Sequence, residues 1–151
     1  MGKKPSHTEV EKRLKELQKE AARCKAAEEA LRISKERHSQ IVQGTPIPAF
    51  VIDNQHRITD CNRAFENLTG ITAKQIIGTR KQWRTFYSEK RPVMADLIVD
   101  KASEQEIAEY YGSKYRKSLV IDGGYEAEDF FPALGENGNW LFFSAAPLKD
   151  A

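Results

Sequence analysis

The chain has 151 residues, of which 40% are hydrophobic and 30% charged, and its net charge is +2. That length allows one compact core and excludes two ordinary domains. The small charge argues against nucleic acid as a partner, and no run approaches the roughly 18 apolar residues of a membrane span. The sequence opens with Met1-Gly2-Lys3-Lys4-Pro5 and contains no apolar stretch there, so no signal peptide is expected. The two widely separated cysteines, Cys24 and Cys61, are expected to be reduced thiols in a cytoplasmic protein.

Residues 1–7 are predicted to be a disordered tail, and residues 8–43 to be one long helix. The helical segment contains no proline or glycine and is rich in Glu, Lys, Arg, Ala and Leu, which are strong helix formers. Thr8 and Glu11 have the spacing of a capping box. The segment is also modestly basic, since residues 1–38 hold 11 Lys and Arg against 7 Glu. This distribution favours a solvated helix over a nucleic-acid surface.

Apolar or small residues recur along this helix at alternating steps of four and three, interrupted by Glu28. Such a heptad seam predicts a coiled coil. The seam consists of Val10, Leu14, Leu17, Ala21, Cys24 and Leu31. Because several members are small and one slot is charged, the expected homodimer is weak. A single solvated helix is the alternative.

Residues 44–151 are predicted to form a globular body. Pro46 and Pro48 end the helix. Residues 49–52 and 57–61 are typical of two strands of an antiparallel hairpin, joined by a polar turn at 53–56. Asn62 is then expected to cap a helix that ends at Gly70.

The second half of the body begins with helices and ends with strands. The predicted helices are 73–77, a segment from Pro92 to Ala102, and 104–111, and the predicted strands are 125–131 and 140–146. Separate blocks of strands and helices indicate an α+β fold with an antiparallel sheet. Residues 140–143 are apolar at every position, so both faces of the sheet should be covered. Short helices would cover one face, and the long helix or a partner the other.

Several segments of the body resemble a PAS domain. Residues 27–37 are also similar to the linker helix that enters PAS domains in bacterial sensor kinases and diguanylate cyclases. The resemblance begins at about Ser39 and extends to the C-terminus. It is carried by PAFVID (48–53), RITDCNRAF (57–65), LTG (68–70), IG (77–78), QWRTFY (82–87), RPVMADL (91–97) and EAEDFFP (126–132).

The resemblance implies a five-stranded antiparallel sheet with short helices on one face, enclosing a pocket. In the family, alternate residues before Pro147 face that pocket. Pockets of this kind are mostly apolar. The candidate pocket residues are Phe50, Ile52, Phe65, Leu68, Trp83, Met94, Leu97, Leu141, Phe143 and Ala145. These side chains fit an ordinary packed core equally well.

The last strand of the family is expected to be missing. In PAS domains it follows the segment that here reads Pro147-Leu148-Lys149-Asp150, and this sequence stops at Ala151. That strand lies between the first and fourth strands of the family's sheet, so its absence would leave backbone groups unpaired. We therefore expect residues 44–151 to be a C-terminally truncated PAS domain. The two alternatives to truncation are that the gap in the sheet closes or that a strand of a neighbouring chain fills it.

No cofactor is predicted, although an unknown small-molecule ligand fits the resemblance. Haem is disfavoured because none of the three histidines, His7, His38 and His56, lies on the helix that supplies the haem ligand in the family. Met94 lies on that helix but is expected in the core. A flavin photosensor would need a reactive cysteine after residue 69, and none occurs. Non-covalent flavin stacked on Trp83 is the weaker alternative.

No metal site or catalytic site is expected. Glu126 and Glu128 share one face of a strand and Asp129 the other, so the three carboxylates do not converge. No signature of a hydrolase, kinase, P-loop or zinc protease occurs. The chain itself is therefore not expected to be an enzyme.

Two functions from different classes follow from these features. The first is a sensory input domain of a bacterial signal-transduction protein, such as one of a two-component system, that binds a small ligand and relays the change through a coiled-coil homodimer. Its effector domain would be a histidine kinase or a diguanylate cyclase. The second is a ligand-free scaffold for dimerisation and signal relay. Nucleic-acid binding through residues 1–38 would require strongly salt-dependent affinity and ranks last.

Overall fold

The computed structural model describes residues 6–149. They form two compact units that divide between Val42 and Gln43. The helices are α1 (His7–Gly44), α2 (Arg63–Thr69), α3 (Ala73–Ile76), α4 (Gln82–Phe86), α5 (Met94–Val99) and α6 (Glu104–Tyr111), and the strands are β1 (Phe50–Ile52), β2 (Ile58–Cys61), β3 (Tyr115–Lys117), β4 (Tyr125–Phe131) and β5 (Asn139–Ala145). Short helices with small antiparallel sheets confirm the predicted α+β class. Residues 1–5 of the predicted disordered tail lie outside the described range.

The long helix α1 begins one residue earlier than predicted. Its capping box is formed by Ser6 and Glu9, because the Glu9 amide donates to Ser6 Oγ at 3.3 Å and the Ser6 amide to Glu9 Oε2 at 2.9 Å. The predicted Thr8–Glu11 box is therefore corrected to the same pattern two residues upstream. No residue of α1 is buried. Among residues 6–149, no helix combines the length and apolarity that crossing a bilayer demands.

Strands β1 and β2 form the predicted hairpin. A change of register between Val51 and Ile52 marks a β-bulge, which bends a strand and limits further pairing. The turn is held by Asp53, whose Oδ1 accepts from the amides of Gln55 at 2.8 Å and Arg57 at 2.9 Å. The sequence prediction of a polar turn at 53–56 is confirmed.

Helix α2 has the predicted ends. Asn62 caps its first turn by accepting from the Phe65 amide at 2.9 Å, and Gly70 ends it in the left-handed conformation at φ 71°. Glycine suits that position because it carries no Cβ. The next helix, α3, is preceded by Thr72 and leads into Gly78, whose amide donates to the Ile58 carbonyl at 2.7 Å. This bond ties the end of α3 to β2.

The remaining strands form a second sheet in the order β3-β4-β5, with β4 at its centre. The sequence analysis did not identify β3, which is only three residues long, and therefore predicted four strands, the last of them at 140–146. The described residues contain five strands, so the predicted count of four is corrected, whereas the C-terminal truncation of the domain stays a prediction. The implied single sheet is also corrected, since β1 pairs only with β2 and β5 only with β4 in the described range.

Two hydrophobic clusters form the core of the body. The first surrounds β2, α2 and α3, with Ile58, Cys61, Phe65 and Ile76 at its centre. The second lies between α5, α6 and β4 and consists of Met94, Leu97, Ile107, Tyr111 and Ala127. Burial of these side chains is the main favourable contribution to folding.

We predict that Ile58→Ala lowers the free energy of unfolding by about 2–5 kcal/mol, because Ile58 is 0% exposed and its removal leaves a cavity. The matched control is Ile47→Ala, at a side chain 68% exposed, with an expected change within about 0.5 kcal/mol. Urea unfolding measures both values. Equal effects at the two positions would contradict the assignment of Ile58 to the core.

Candidate functional site

The candidate site is the interior of the body, where aromatic rings connect the two hydrophobic clusters. Phe86 of α4 lies 6.4 Å from Phe65 in the first cluster and 5.2 Å from Phe131 of β4, measured between ring centroids. Phe131 in turn lies 5.8 Å from Phe143, which lies 5.9 Å from Tyr111 in the second cluster. One of these ring pairs is T-shaped and three are tilted, and all lie within the range of favourable aromatic contacts. The interior is therefore a continuous aromatic layer.

The structure distributes the candidate pocket residues over both ends of this layer. Phe50, Ile52 and Phe65 belong to the cluster around β2, whereas Met94 and Leu97 belong to the cluster around α5, against which Phe143 and Ala145 also pack. The other three, Leu68, Trp83 and Leu141, are half-buried outside both clusters. Their role in binding a ligand stays a prediction.

Less exposed and more exposed side chains alternate along β5 in the order that the sequence analysis predicted. Leu141, Phe143 and Ala145 are half-buried, whereas Trp140 and Phe142 are 61% and 65% exposed. The exposed pair adjoins Phe130 of β4, whose ring centroid lies 5.7 Å from that of Trp140. The sequence analysis expected both faces of this sheet to be covered. Within the body itself, over residues 43–149, the face that carries these three aromatic side chains is exposed to solvent.

Two buried polar groups on α4 lack hydrogen-bond partners. Gln82 is 2% exposed and Thr85 is 4% exposed, and neither Gln82 Oε1 nor Thr85 Oγ1 has a partner in the described structure. Residues three apart lie on the same helix face. The orientation of the amide is fixed, because Gln82 Nε2 donates to Asp96 Oδ1 at 2.7 Å and to the His56 carbonyl at 3.2 Å. The buried face of α4 thus presents one acceptor and one hydroxyl.

Arg91 lies in a cage of three tyrosines. The centre of its guanidinium is 4.0 Å from the ring of Tyr87, 5.0 Å from that of Tyr111 and 5.3 Å from that of Tyr110. Stacking on aromatic rings stabilises the positive charge of a guanidinium even where no carboxylate pairs with it. Its buried Nε has no hydrogen-bond partner within residues 6–149.

Burial also determines the protonation state of two tyrosine hydroxyls in this cage. Tyr87 Oη donates to Tyr111 Oη at 3.3 Å. Loss of solvent is the main reason that the pKa of each phenol lies above its usual range. Both phenols are therefore neutral hydrogen-bonding groups at ordinary pH.

The sequence analysis missed Gln82 and Thr85 because α4 was not predicted, and it missed Arg91 because the three tyrosines around it come together only in the fold. The helix has only five residues and its first turn lacks a side-chain cap. A signal was present in the spacing of Gln82 and Thr85, which lie three residues apart and are followed directly by Trp83 and Phe86, respectively. Without tertiary contacts that spacing does not distinguish a buried face from a solvated one.

The acidic residues of β4 pair with different basic groups. Glu126 accepts from Arg116 at 2.8 Å and from Ser118 at 3.0 Å, while Asp129 accepts from Lys114 at 2.9 Å. The hydrogen bonds to Arg116 and Ser118 lower the pKa of Glu126. The carboxylates therefore contribute to pairing across the sheet.

The predicted seam residues of α1 share one exposed stripe. Val10, Leu14, Leu17 and Leu31 are each more than half exposed, and Cys24 is a free, exposed thiol. Ala21 is also exposed. An exposed apolar stripe at heptad spacing is typical of a helix that packs against a partner.

Residues 36–80 match the family model described as the PAS fold. The matched segment covers less than a third of the chain and includes the β1–β2 hairpin, α2 and α3. No match was found among curated proteins. The family match supports a PAS domain in this chain and is consistent with its α+β fold.

We predict that Asn62→Ala lowers the free energy of unfolding by about 2–3 kcal/mol. The buried Asn62 side chain accepts from the Phe65 and Ala49 amides and donates to the Ile47 carbonyl at 2.8 Å, so backbone groups of three residues lose their partner. Asn62→Asp retains the acceptor and should have a smaller effect. Urea unfolding provides the values.

The matched control for this prediction is Asn67→Ala, at an exposed position within α2. Alanine favours helix, so stability should stay the same or rise slightly. A loss as large as that of Asn62→Ala would mean that helix composition, not the Asn62 hydrogen bonds, determines the effect.

Proposed function

We propose that this chain is a sensory input domain of a bacterial signal-transduction protein, binding a small ligand in the PAS interior and relaying the change through a dimer of α1. The chain itself performs no chemistry in this proposal. Its output would be an effector domain such as a histidine kinase or a diguanylate cyclase. The PAS match supports the sensory class, and the ligand and the dimer rest on the two arguments below.

The observation that carries ligand binding is the pair of unsatisfied groups on α4. Leaving a buried polar atom without a hydrogen bond costs about 1–3 kcal/mol, and native structures contain few such atoms. A ligand whose polar end donates to Gln82 Oε1 and bonds to the Thr85 hydroxyl would remove both penalties. The aromatic rings around Phe86 would then contact its apolar part. Haem and flavin are not part of the proposal.

The ring contacts favour the second candidate, a ligand-free scaffold. Phe86, Phe131 and Phe143 already fill the interior with centroid separations of 5.2 and 5.8 Å. A ligand must therefore displace rings, whereas a scaffold would keep this packing. The buried polar groups of α4 would then bond to water.

Native mass spectrometry of the purified chain distinguishes these two functions. We expect a co-purifying small molecule on the wild type and its loss in Thr85→Val, which removes the buried hydroxyl at nearly constant shape. Thr59→Val, on an exposed position of β2, is the matched control and should retain the molecule. An empty wild type combined with a more stable Thr85→Val would support the scaffold, because an unsatisfied group is then removed.

Two exposed apolar surfaces support the proposed dimer, and each supports it independently of the other. One is the heptad stripe of α1 and the other is the aromatic face of Phe130, Trp140 and Phe142. Exposed patches of this kind typically mark protein contacts. A second copy of the chain fits both, because each surface can pair with its own equivalent about a two-fold axis.

We predict that mild oxidation links two chains through Cys24. In a parallel, in-register coiled coil the same seam position of both helices meets at the axis, which brings the two thiols close. Cys61 should not react, since burial raises its pKa and keeps it protonated. Non-reducing electrophoresis should show a covalent dimer that Cys24→Ser abolishes.

The control moves the thiol off the seam. Ala22→Cys in the Cys24→Ser background places a cysteine on a neighbouring face of the same helix, where the predicted geometry separates the two sulfurs. Equal cross-linking of the two variants would exclude an ordered parallel seam. Light scattering that reports a monomer at every concentration would also contradict the dimer.

A further inference from the structure

A histidine in the β1–β2 turn connects three elements of the body. His56 Nδ1 lies 2.7 Å from Asp96 Oδ1, and His56 Nε2 lies 2.8 Å from Asp100 Oδ1. Both aspartates belong to α5 or its C-terminal cap. The carbonyl of His56 also accepts from Gln82 of α4 at 3.2 Å. The turn, α4 and α5 are thus held together at one residue.

The backbone at His56 has an uncommon conformation. Its φ is 62°, in the left-handed region that residues other than glycine seldom adopt. The His56 amide donates to the Asp53 carbonyl at 3.0 Å, which closes the turn. Strained residues of this kind persist when their surroundings fix them. Here the surroundings include both carboxylates.

The chemistry of imidazole determines which protonation state fits this geometry. A neutral ring has one N–H and one lone pair, whereas the imidazolium has two N–H groups. Two carboxylate oxygens at hydrogen-bond distance from the two ring nitrogens can both be satisfied only by the cation. In the neutral ring, one nitrogen lone pair would face a carboxylate oxygen.

We propose that His56 is a proton-operated latch that holds the β1–β2 turn against α5 when protonated and releases it when neutral. The proposal goes beyond the function above, since its signal is pH and needs neither a bound ligand nor a second copy. Release begins at Asp100, because that side chain is 59% exposed and can turn into solvent. Asp96 stays in place, since its Oδ2 accepts from the Val93 amide at 2.9 Å and its Oδ1 from Gln82.

The charged groups around His56 favour its protonated form, which is the form that closes the proposed latch. On α5 the titratable groups that face the ring are Asp96 and Asp100, and α4 contributes the neutral Gln82. Within its own turn, Asp53 interacts with Arg57 and Arg80. The hydrogen bond to Asp96 is the main reason that the pKa of His56 is raised, and Asp100 contributes further.

The sign of the pH dependence follows from this raised pKa. A group that binds its proton more tightly in the folded state stabilises that state below its unfolded pKa, which is about 6.5 for histidine. That contribution is lost as pH rises through the folded pKa. The latch is therefore closed in mild acid and opens toward alkaline pH.

The test combines titration with unfolding. We expect NMR of the intact chain to give a pKa for His56 above 6.5 and a lower one in Asp100→Asn, which removes the exposed carboxylate. Urea unfolding between pH 5.5 and 9 should give a stability difference between the wild type and His56→Asn that decreases as pH rises. Asparagine tolerates the left-handed backbone, so this variant removes the imidazole with little added strain.

The matched control is His38→Asn on the exposed surface of α1, which should keep the wild-type pH dependence. A His56 pKa at or below 6.5 would overturn the proposal, as would a difference between wild type and His56→Asn that does not change with pH. If His56→Asn fails to fold, the wild-type and Asp100→Asn titrations still decide. Their outcome is independent of ligand binding and cross-linking.

Discussion

The body depends on packing between its helices and strands, because helices of four to eight residues and strands of three to seven cannot be stable by themselves. Each element needs contacts with the others to stay ordered. Phe86 supplies the central contact, since its ring meets both Phe65 of the first cluster and Phe131 of β4. The hairpin sheet and the three-stranded sheet share no strand pairing in the described residues, so this aromatic layer connects them in place of backbone hydrogen bonds.

Polar groups at the edge of the aromatic layer provide directional contacts that rings cannot. Asp96 illustrates this role: one carboxylate accepts from Val93, Gln82 and His56, and so joins α5, α4 and the β1–β2 turn. Buried networks of this kind favour one arrangement when every member is satisfied. Gln82 Oε1 is the unsatisfied atom of this network, and Thr85 Oγ1 on the same helix also lacks a partner. The packing of the interior is therefore most easily changed next to α4, where both the proposed ligand and the proposed protonation of His56 would act.

Local sequence signals predicted the elements that contain them. Asn62 and Gly70 fixed both ends of α2, and the alternation of β5 placed Leu141, Phe143 and Ala145 on its less exposed side. Elements without such signals were missed, namely α4 and β3, and the missed strand led to an incorrect strand count. The His56 contacts join residues 40 and 44 positions apart. No local pattern contains that information, because only the tertiary fold brings the turn to α5.

The long helix follows a different physical rule from the body. None of its residues is buried, and its ion pairs, such as those of Arg32 with Glu29 and Glu36 at 2.6 Å, are exposed to solvent. Exposed pairs contribute little to stability. Packing of an apolar stripe is the usual source of stability for a helix of this length, and the stripe from Val10 to Leu31 includes alanine, cysteine and glutamate. In the proposed dimer, pairing of this stripe would therefore be weak enough to shift between arrangements, which is the property that a relay element needs.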